Sequence, residues 1–88
     1  MTTILKYELE ITDSQEIKMP GRAIVLDVAA QDDVLCLWAL VDTAQPKVQR
    51  RFRVFGTGEP LKGLLRMKFI GLVVMPPFVW HVFEEMKP

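Results

Sequence analysis

An unbroken run of eight apolar residues, 34–41, constrains the fold of this chain more than any other feature. Asp32 and Asp33 precede the run and Asp42 follows it, so charged residues set its limits. As an extended strand it would measure about 26 Å, at roughly 3.3 Å per residue. Because successive side chains of a strand point to opposite faces, both faces of this strand are apolar and need a cover. We expect the rest of the chain to wrap around it, with a second copy of the chain as a candidate for the second cover.

Strand-like segments account for most of the remaining sequence. Apolar and polar residues alternate, or β-branched residues cluster, over residues 4–11, 16–19, 22–30, 48–55, 68–75 and 78–84. Pro20-Gly21 predicts a type II turn in which the glycine supplies a positive φ, and Pro76-Pro77 predicts another turn. Gly71 within its strand indicates a bulge or a close contact. The spacing of apolar residues after Pro60 is compatible with one short helix near residues 60–67.

These elements predict one domain over residues 1–88 with an all-β fold. Six to seven short strands separated by turn signals are typical of a small antiparallel β-sandwich or partly open barrel. The polar residues 31–33 join the segment 22–30 to the apolar run as a hairpin, and residues 48–55 follow after the loop at 43–46. The apolar strand is therefore expected to be the central strand of a three-stranded meander.

Charge and cysteine content argue against several classes of protein. The 11 basic and 11 acidic residues give no net charge, which disfavours a generic nucleic-acid binder. The single cysteine, Cys36, cannot form an internal disulfide, and its place in the apolar run predicts an unreactive packed thiol. The apolar segments are too short to cross a membrane, and Lys6, Glu8 and Glu10 interrupt any N-terminal signal sequence. We expect a cytoplasmic protein without membrane association.

An arginine cluster followed by a glycine-rich break is the most suggestive candidate site. Arg51 and Arg53 fall on one face of their strand, where two guanidinium groups could bind one anion. The loop Gly56-Thr57-Gly58 could bring backbone N–H groups and a hydroxyl to a phosphate or carboxylate. The pattern lacks the nucleotide-binding glycine motifs. A solvated strand face, paired with Glu8 and Glu10 across the sheet, is the favoured alternative.

Trp80 and His81 complete the candidate ligand-binding residues. An exposed aromatic residue beside the arginines could stack on a base or anchor a protein partner. His81 is the only histidine, so a metal site is disfavoured, and no spacing in the sequence gives it a nucleophile or an orienting acid. A packed sheet residue is the favoured interpretation of His81. We therefore predict no enzyme activity, no catalytic residues, no metal and no cofactor.

Five strings of the sequence together resemble a family of small uncharacterised proteins of bacteriophages and prophages. They are KYEL at 6–9, QEIKMP at 15–20, CLWALVD at 36–42, RFRVFGTG at 51–58 and FVWHVFE at 78–84. The likeness spans nearly the whole chain, and the sequence departs from the usual pattern around residues 61–67. The resemblance implies a phage context and no particular activity.

In that context three classes of function are open. The first is a non-enzymatic protein that binds a host protein in the host cytoplasm, such as a defence component that it inhibits. The second is a sponge that sequesters an anionic nucleotide signal through Arg51, Arg53 and the Gly56-Thr57-Gly58 loop. An enzyme ranks last, and a structural accessory role is a further alternative. A small chain with this much apolar side chain also favours a homo-oligomer.

Overall fold

The computed structural model describes residues 1–61 and 66–86. Its elements are seven antiparallel strands: β1 (Thr2–Glu8), β2 (Gln15–Pro20), β3 (Ile24–Gln31), β4 (Val34–Asp42), β5 (Lys47–Gly56), β6 (Met67–Met75) and β7 (Phe78–Glu85). The all-β prediction of six to seven antiparallel strands is confirmed. No helix occurs among the described residues, and most of the helix predicted near residues 60–67 falls on 62–65, which lie outside them.

The strands form two sheets that share one core. Sheet A has the strand order β1-β4-β3, and sheet B has the order β2-β5-β7-β6. The link between β1 and β2 joins the sheets, because Leu9 N donates to Leu35 O at 2.8 Å and Val54 N donates to Thr12 O at 3.2 Å. The core combines side chains of both sheets, among them Leu35, Leu37, Ala39, Val41, Phe52, Val54 and Val82. The arrangement is an open two-sheet fold and not a closed barrel.

The apolar run forms β4, which is the central strand of sheet A as predicted. Its second neighbour, however, is β1 and not β5, so the predicted meander is wrong at its last step. β1 pairs with β4 from Thr2 opposite Asp42 to Glu8 opposite Cys36. Thr43 N also donates to Met1 O at 2.9 Å. Because β1 already occupies that edge of β4, the chain after Asp42 passes into sheet B and pairs there as β5.

The two faces of β4 are covered in different ways. Leu35, Leu37 and Ala39 face sheet B and are buried. On the other face Cys36 is also buried, whereas Trp38 lies in a half-buried position. Lys6 Nζ on β1 donates to Gln31 Oε1 on β3 at 2.7 Å, so the lysine side chain crosses β4 on this face. The chain itself therefore supplies part of the second cover.

Two turns, in addition to the one at Arg66 (φ 66°), place non-glycine residues at positive φ. Asp32 (φ 52°) and Asp33 (φ 62°) connect β3 to β4 as a two-residue hairpin turn of the type I′ kind. In the turn after β2 the left-handed residue is Arg22 (φ 65°) and not Gly21, which corrects the predicted type II assignment of the glycine. Gly21 is needed for a close approach instead, because a Cβ there would lie 3.3 Å from Pro46 O.

A glycine at position 33 should stabilise the fold, since glycine adopts positive φ without the steric penalty that other residues carry. We expect Asp33→Gly to raise the free energy of unfolding by about 0.5–1 kcal/mol, measured by urea denaturation. Ala30→Gly, three residues earlier in β3, is the control and should lower it by about 0.5–1 kcal/mol. Equal effects of the two substitutions would contradict the turn assignment.

The two sheets approach most closely where β3 faces β6, and each strand has a bulge there. The pairing register shifts between Val25 and Asp27 in β3 and between Phe69 and Gly71 in β6. A Cβ at Gly71 would lie 2.7 Å from Val28 Cγ2, a distance that side chains do not tolerate. Both interpretations of Gly71 made from the sequence, a bulge and a close contact, are confirmed.

Gly71→Ala should therefore lower the free energy of unfolding by about 1–3 kcal/mol through overpacking. In a Val28→Ala background the space for the new methyl group already exists, so the same substitution should be nearly neutral. A double-mutant cycle on the two positions measures this coupling. Additive effects would show that the contact with Val28 is not the reason for the glycine.

Candidate functional site

Most of the residues singled out from the sequence lie on the outer face of sheet B, which is turned away from the core. Phe52 and Val54 of β5 are buried in the core, so the alternate residues Arg51 and Arg53 lie on the outer face, together with Phe55. The strand register continues this face across β7 and β6. There it comprises Val79, His81, Phe83, Phe69, Leu72 and Val74.

The half of this face on β6 and β7 is apolar. Phe69, Leu72 and Val74 are 53, 51 and 59% exposed; we call these three residues the apolar patch. Phe83 connects the patch to Phe55 through edge-to-face contacts, with ring centroids 5.4 Å from Phe69 and 6.0 Å from Phe55. The patch was not among the residues selected from the sequence. The sequence feature that could have indicated the patch is a second apolar stretch, residues 69–75. This stretch makes both faces of β6 apolar, as in β4.

The half on β2 and β5 is mainly basic, and its arginines have partners. Arg51 Nη2 lies 3.2 Å from Glu16 Oε1, and both side chains are about half exposed. Arg53 Nε donates to Asp13 O at 2.7 Å, and its guanidinium carbon lies 5.0 Å from the centre of the Phe55 ring. The two arginines share one face as predicted. The carboxylate beside them belongs to Glu16 of β2, and not to Glu8 or Glu10, because β1 is a strand of the other sheet.

The Gly56-Thr57-Gly58 loop and His81 lie together at a cleft of about 290 Å³. Its other lining residues are Phe55, Glu59, Leu61 and Phe83. Thr57 Oγ1 and His81 Nε2 are 3.0 Å apart, within hydrogen-bond distance. Glu59 Oε1 accepts a hydrogen bond of 2.7 Å from Gly56 N, and Thr57 N donates to Val79 O at 3.3 Å. Two of the N–H groups that could hold an anion therefore already have acceptors within the chain.

Trp80 belongs to the opposite side of β7. It packs against the core and stacks on Phe78, with ring centroids 5.3 Å apart and an angle of 27° between the rings. A Cβ at Gly56 would lie 3.1 Å from Trp80 Cζ3, which explains a glycine at that position. The seven predicted residues thus separate into a pair of arginines, a cleft with His81, and Trp80 on the other face.

The cleft offers limited chemistry. A hydroxyl beside an imidazole is the start of a nucleophile–base pair, which also needs a group that orients the base and donors for an oxyanion. Glu59 is bonded to the loop backbone and not to His81. Within residues 1–61 and 66–86, no group of three or more His, Cys, Asp or Glu residues is placed to hold a metal ion. In the same part of the chain, no helix is long and apolar enough to span a membrane.

Comparison with known proteins identifies a family. The profile of a domain of unknown function, DUF7352, matches residues 1–88. The chain belongs to the DUF7352 family. No curated protein and no solved structure matches it. The resemblance to a family without an assigned activity is confirmed, and the phage context stays a prediction.

A buried ion pair lies on the inner face of sheet B in this DUF7352 domain. Arg50 donates to the Glu84 carboxylate through Nε at 2.5 Å and through Nη2 at 2.8 Å. Its Nη1 donates to Ala23 O at 2.5 Å, in the turn that leads from β2 to β3. The hydrogen bonds that Arg50 donates to the Glu84 carboxylate raise the pKa of Arg50, whereas burial lowers it. Alternation along β5 puts Arg50 on the core side with Phe52 and Val54, but nothing in the sequence indicates its partner.

Removing one member of this pair leaves an uncompensated charge in a largely buried position. Glu84→Leu should therefore lower the free energy of unfolding of the DUF7352 domain by about 3 kcal/mol, and Arg50→Met combined with Glu84→Leu should recover most of the loss. Glu16→Leu breaks the exposed pair with Arg51 and is the control, with an expected loss below about 1 kcal/mol. Because the pKa of Arg50 is raised, its contribution to stability is fully present at neutral pH and is lost only as the pH rises above the ordinary arginine pKa. A double variant no more stable than Glu84→Leu would contradict this role of the pair.

Proposed function

We propose that this domain is a non-enzymatic binding protein whose partner is another protein. The observation that carries the proposal is the apolar patch, in which three large side chains on one sheet face are each more than half exposed. A cluster of this kind is unfavourable in water and is typical of a surface that another protein covers. Phe83 and Phe55 lie beside the patch and extend it with aromatic contacts.

The charges around the patch define the chemistry of the partner. Lys18, Lys47, Arg51 and Arg53 lie on the β2 and β5 half of the same face, with Glu16 as the acidic residue among them. Arginine and aromatic residues are enriched at the centres of protein interfaces. The face therefore suits a protein surface that presents apolar side chains next to carboxylates.

The resemblance to phage and prophage proteins extends the proposal to a biological setting. A small phage protein made in the host cytoplasm acts most simply by occupying a surface of a host protein. We infer that the partner is such a host protein, for example a defence component that the domain inhibits. The support for this step is the sequence resemblance and the exposed apolar patch.

A nucleotide sponge is the alternative, and the cleft at Thr57 and His81 is its best site. The charge at that cleft disfavours an anion, because Glu59 contributes a carboxylate and its oxygen already accepts from Gly56 N. Arg51 and Arg53 do not line the cleft and bind Glu16 and Asp13 instead. A protein partner therefore ranks above a nucleotide. An enzyme ranks below both, because within residues 1–61 and 66–86 the hydrogen bond of His81 is to Thr57 and not to a carboxylate that would orient its ring.

A matched pair of leucine variants tests the proposal. Leu72 in the apolar patch and Leu26 on β3 are 51% and 49% exposed, so an aspartate should be tolerated equally at either position. Immobilised wild type, Leu72→Asp and Leu26→Asp are each incubated with bacterial host lysate, and captured proteins are quantified by mass spectrometry. We expect proteins that wild type and Leu26→Asp retain and that Leu72→Asp loses by at least about tenfold, because the new charge would be buried at the interface.

Capture that is the same for all three proteins, or absent for all, contradicts binding through the apolar patch. A panel of cyclic and linear nucleotides tests the alternative through the melting temperature, which a ligand of the folded state raises. A rise that Thr57→Val or His81→Ala abolishes would support the sponge. Unchanged melting temperatures across the panel would exclude it at the concentrations used.

A further inference from the structure

A separate cleft of about 460 Å³ lies where two hairpin turns and the link between β1 and β2 come together. Asp33 comes from the β3–β4 turn, Pro76 from the β6–β7 turn and Ile11 from the link. Phe78 and Trp80 of β7 also line the cleft, together with Val74, the one residue that the cleft shares with the apolar patch. Its walls are thus apolar and aromatic, with one carboxylate among these six residues.

The aromatic wall is a stack of two rings. Trp80 packs against the core and Phe78 lies on it in a nearly parallel arrangement, with centroids 5.3 Å apart. Phe78 is 56% exposed, so more than half of this residue is open to solvent. The stack therefore presents an aromatic surface to whatever enters the cleft, and such a surface attracts cations through its π electrons.

The carboxylate at the cleft belongs to a residue whose backbone is held in a tight turn. The positive φ of Asp33 (62°) belongs to a two-residue turn that is fixed by the pairing of β3 with β4. The ion pairs within residues 1–61 and 66–86 use the carboxylates of Asp42, Glu84 and Glu16. Asp33 thus brings a negative charge to an aromatic cleft without an ion-pair partner among the described residues.

We propose that this cleft binds an arginine side chain presented by another protein. A planar guanidinium can stack on the Phe78 ring while its N–H groups reach the Asp33 carboxylate, and the arginine methylenes can lie along Pro76. Lysine fits less well, because its compact ammonium is strongly hydrated and does not stack. The site goes beyond the protein-binding face proposed above, because its recognition rests on Asp33 and Phe78 and not on the apolar patch.

The two tryptophans provide a reporter and an internal control in the unmodified protein. Capped arginine (the N-acetyl methylamide) is titrated into the ¹⁵N-labelled domain, and the two indole N–H signals are followed by NMR, with Trp38→Phe assigning them. We expect the Trp80 signal to shift with a dissociation constant on the order of 10 mM, as suits one cation–π contact and one exposed ion pair. Trp38 lies on the other sheet and should not respond.

Charge and position are tested separately. Capped citrulline has the same shape without the charge, and should produce no saturable shift. Asp33→Asn should weaken arginine binding about fivefold, whereas Asp32→Asn, the neighbouring turn residue, should leave it unchanged. Phe78→Leu keeps an apolar side chain and should also weaken binding, with thermal melting confirming that it is folded.

Three results would overturn the proposal. They are a Trp80 shift with citrulline equal to that with arginine, no saturable shift up to about 100 mM arginine, and equal weakening by Asp32→Asn and Asp33→Asn. Each of these leaves the proposed protein-binding face untouched, since that face is tested by Leu72→Asp. Loss of capture by Leu72→Asp with normal arginine binding would in turn show that the two sites are separate.

Discussion

Burial of one apolar face of β4 against sheet B is the interaction that holds the two sheets of this domain together. Sheet B covers the face of Leu35, Leu37 and Ala39 and supplies Phe52, Val54 and Val82 to the same core. The other face is the outer face of sheet A, where Cys36 is buried and Lys6 crosses the strand to reach Gln31. Because β1 and β3 occupy both edges of β4, β5 has to start a second sheet, and the chain obtains a core from strands that are not neighbours along the sequence.

The elements that could be predicted from the sequence are those with local causes. Alternation and apolar runs identified all seven strands, and Gly71 was recognised as a bulge and a close contact because a glycine within a strand usually marks one or the other. The order of strands was less accessible. The edge of β4 that was predicted to pair with β5 pairs with β1. No residue near position 43 indicates that a strand 40 residues earlier occupies this edge. The positive φ at Arg22 was also missed, because glycine is the residue expected there.

In the candidate site, too, local features could be predicted from the sequence and contacts between strands could not. Alternation placed Arg51 and Arg53 on one face and Arg50 on the other, as the structure has them. The contacts that decide their roles are between strands: Arg50 with Glu84, Arg51 with Glu16, and Thr57 with His81. These pairs lie 24 to 35 residues apart in sequence, so spacing could not reveal them. The apolar patch was recognisable in principle, since residues 69–75 have the two-faced apolar character of β4 on a strand at the edge of its sheet.

The pairing of both β1 and β3 with β4 has a consequence for the order in which sheet A gains and loses strands. β3 reaches β4 through a two-residue turn, whereas β1 reaches the same strand only after the whole of β2 and β3. Closing the longer loop costs roughly 2 kcal/mol more chain entropy, because that cost grows with the logarithm of loop length. We therefore expect β3 and β4 to pair first as a local unit and β1 to add to β4 later. Because the side chain of Lys6 lies across the outer face of β4, access to the Cys36 thiol depends on the pairing of β1 with β4.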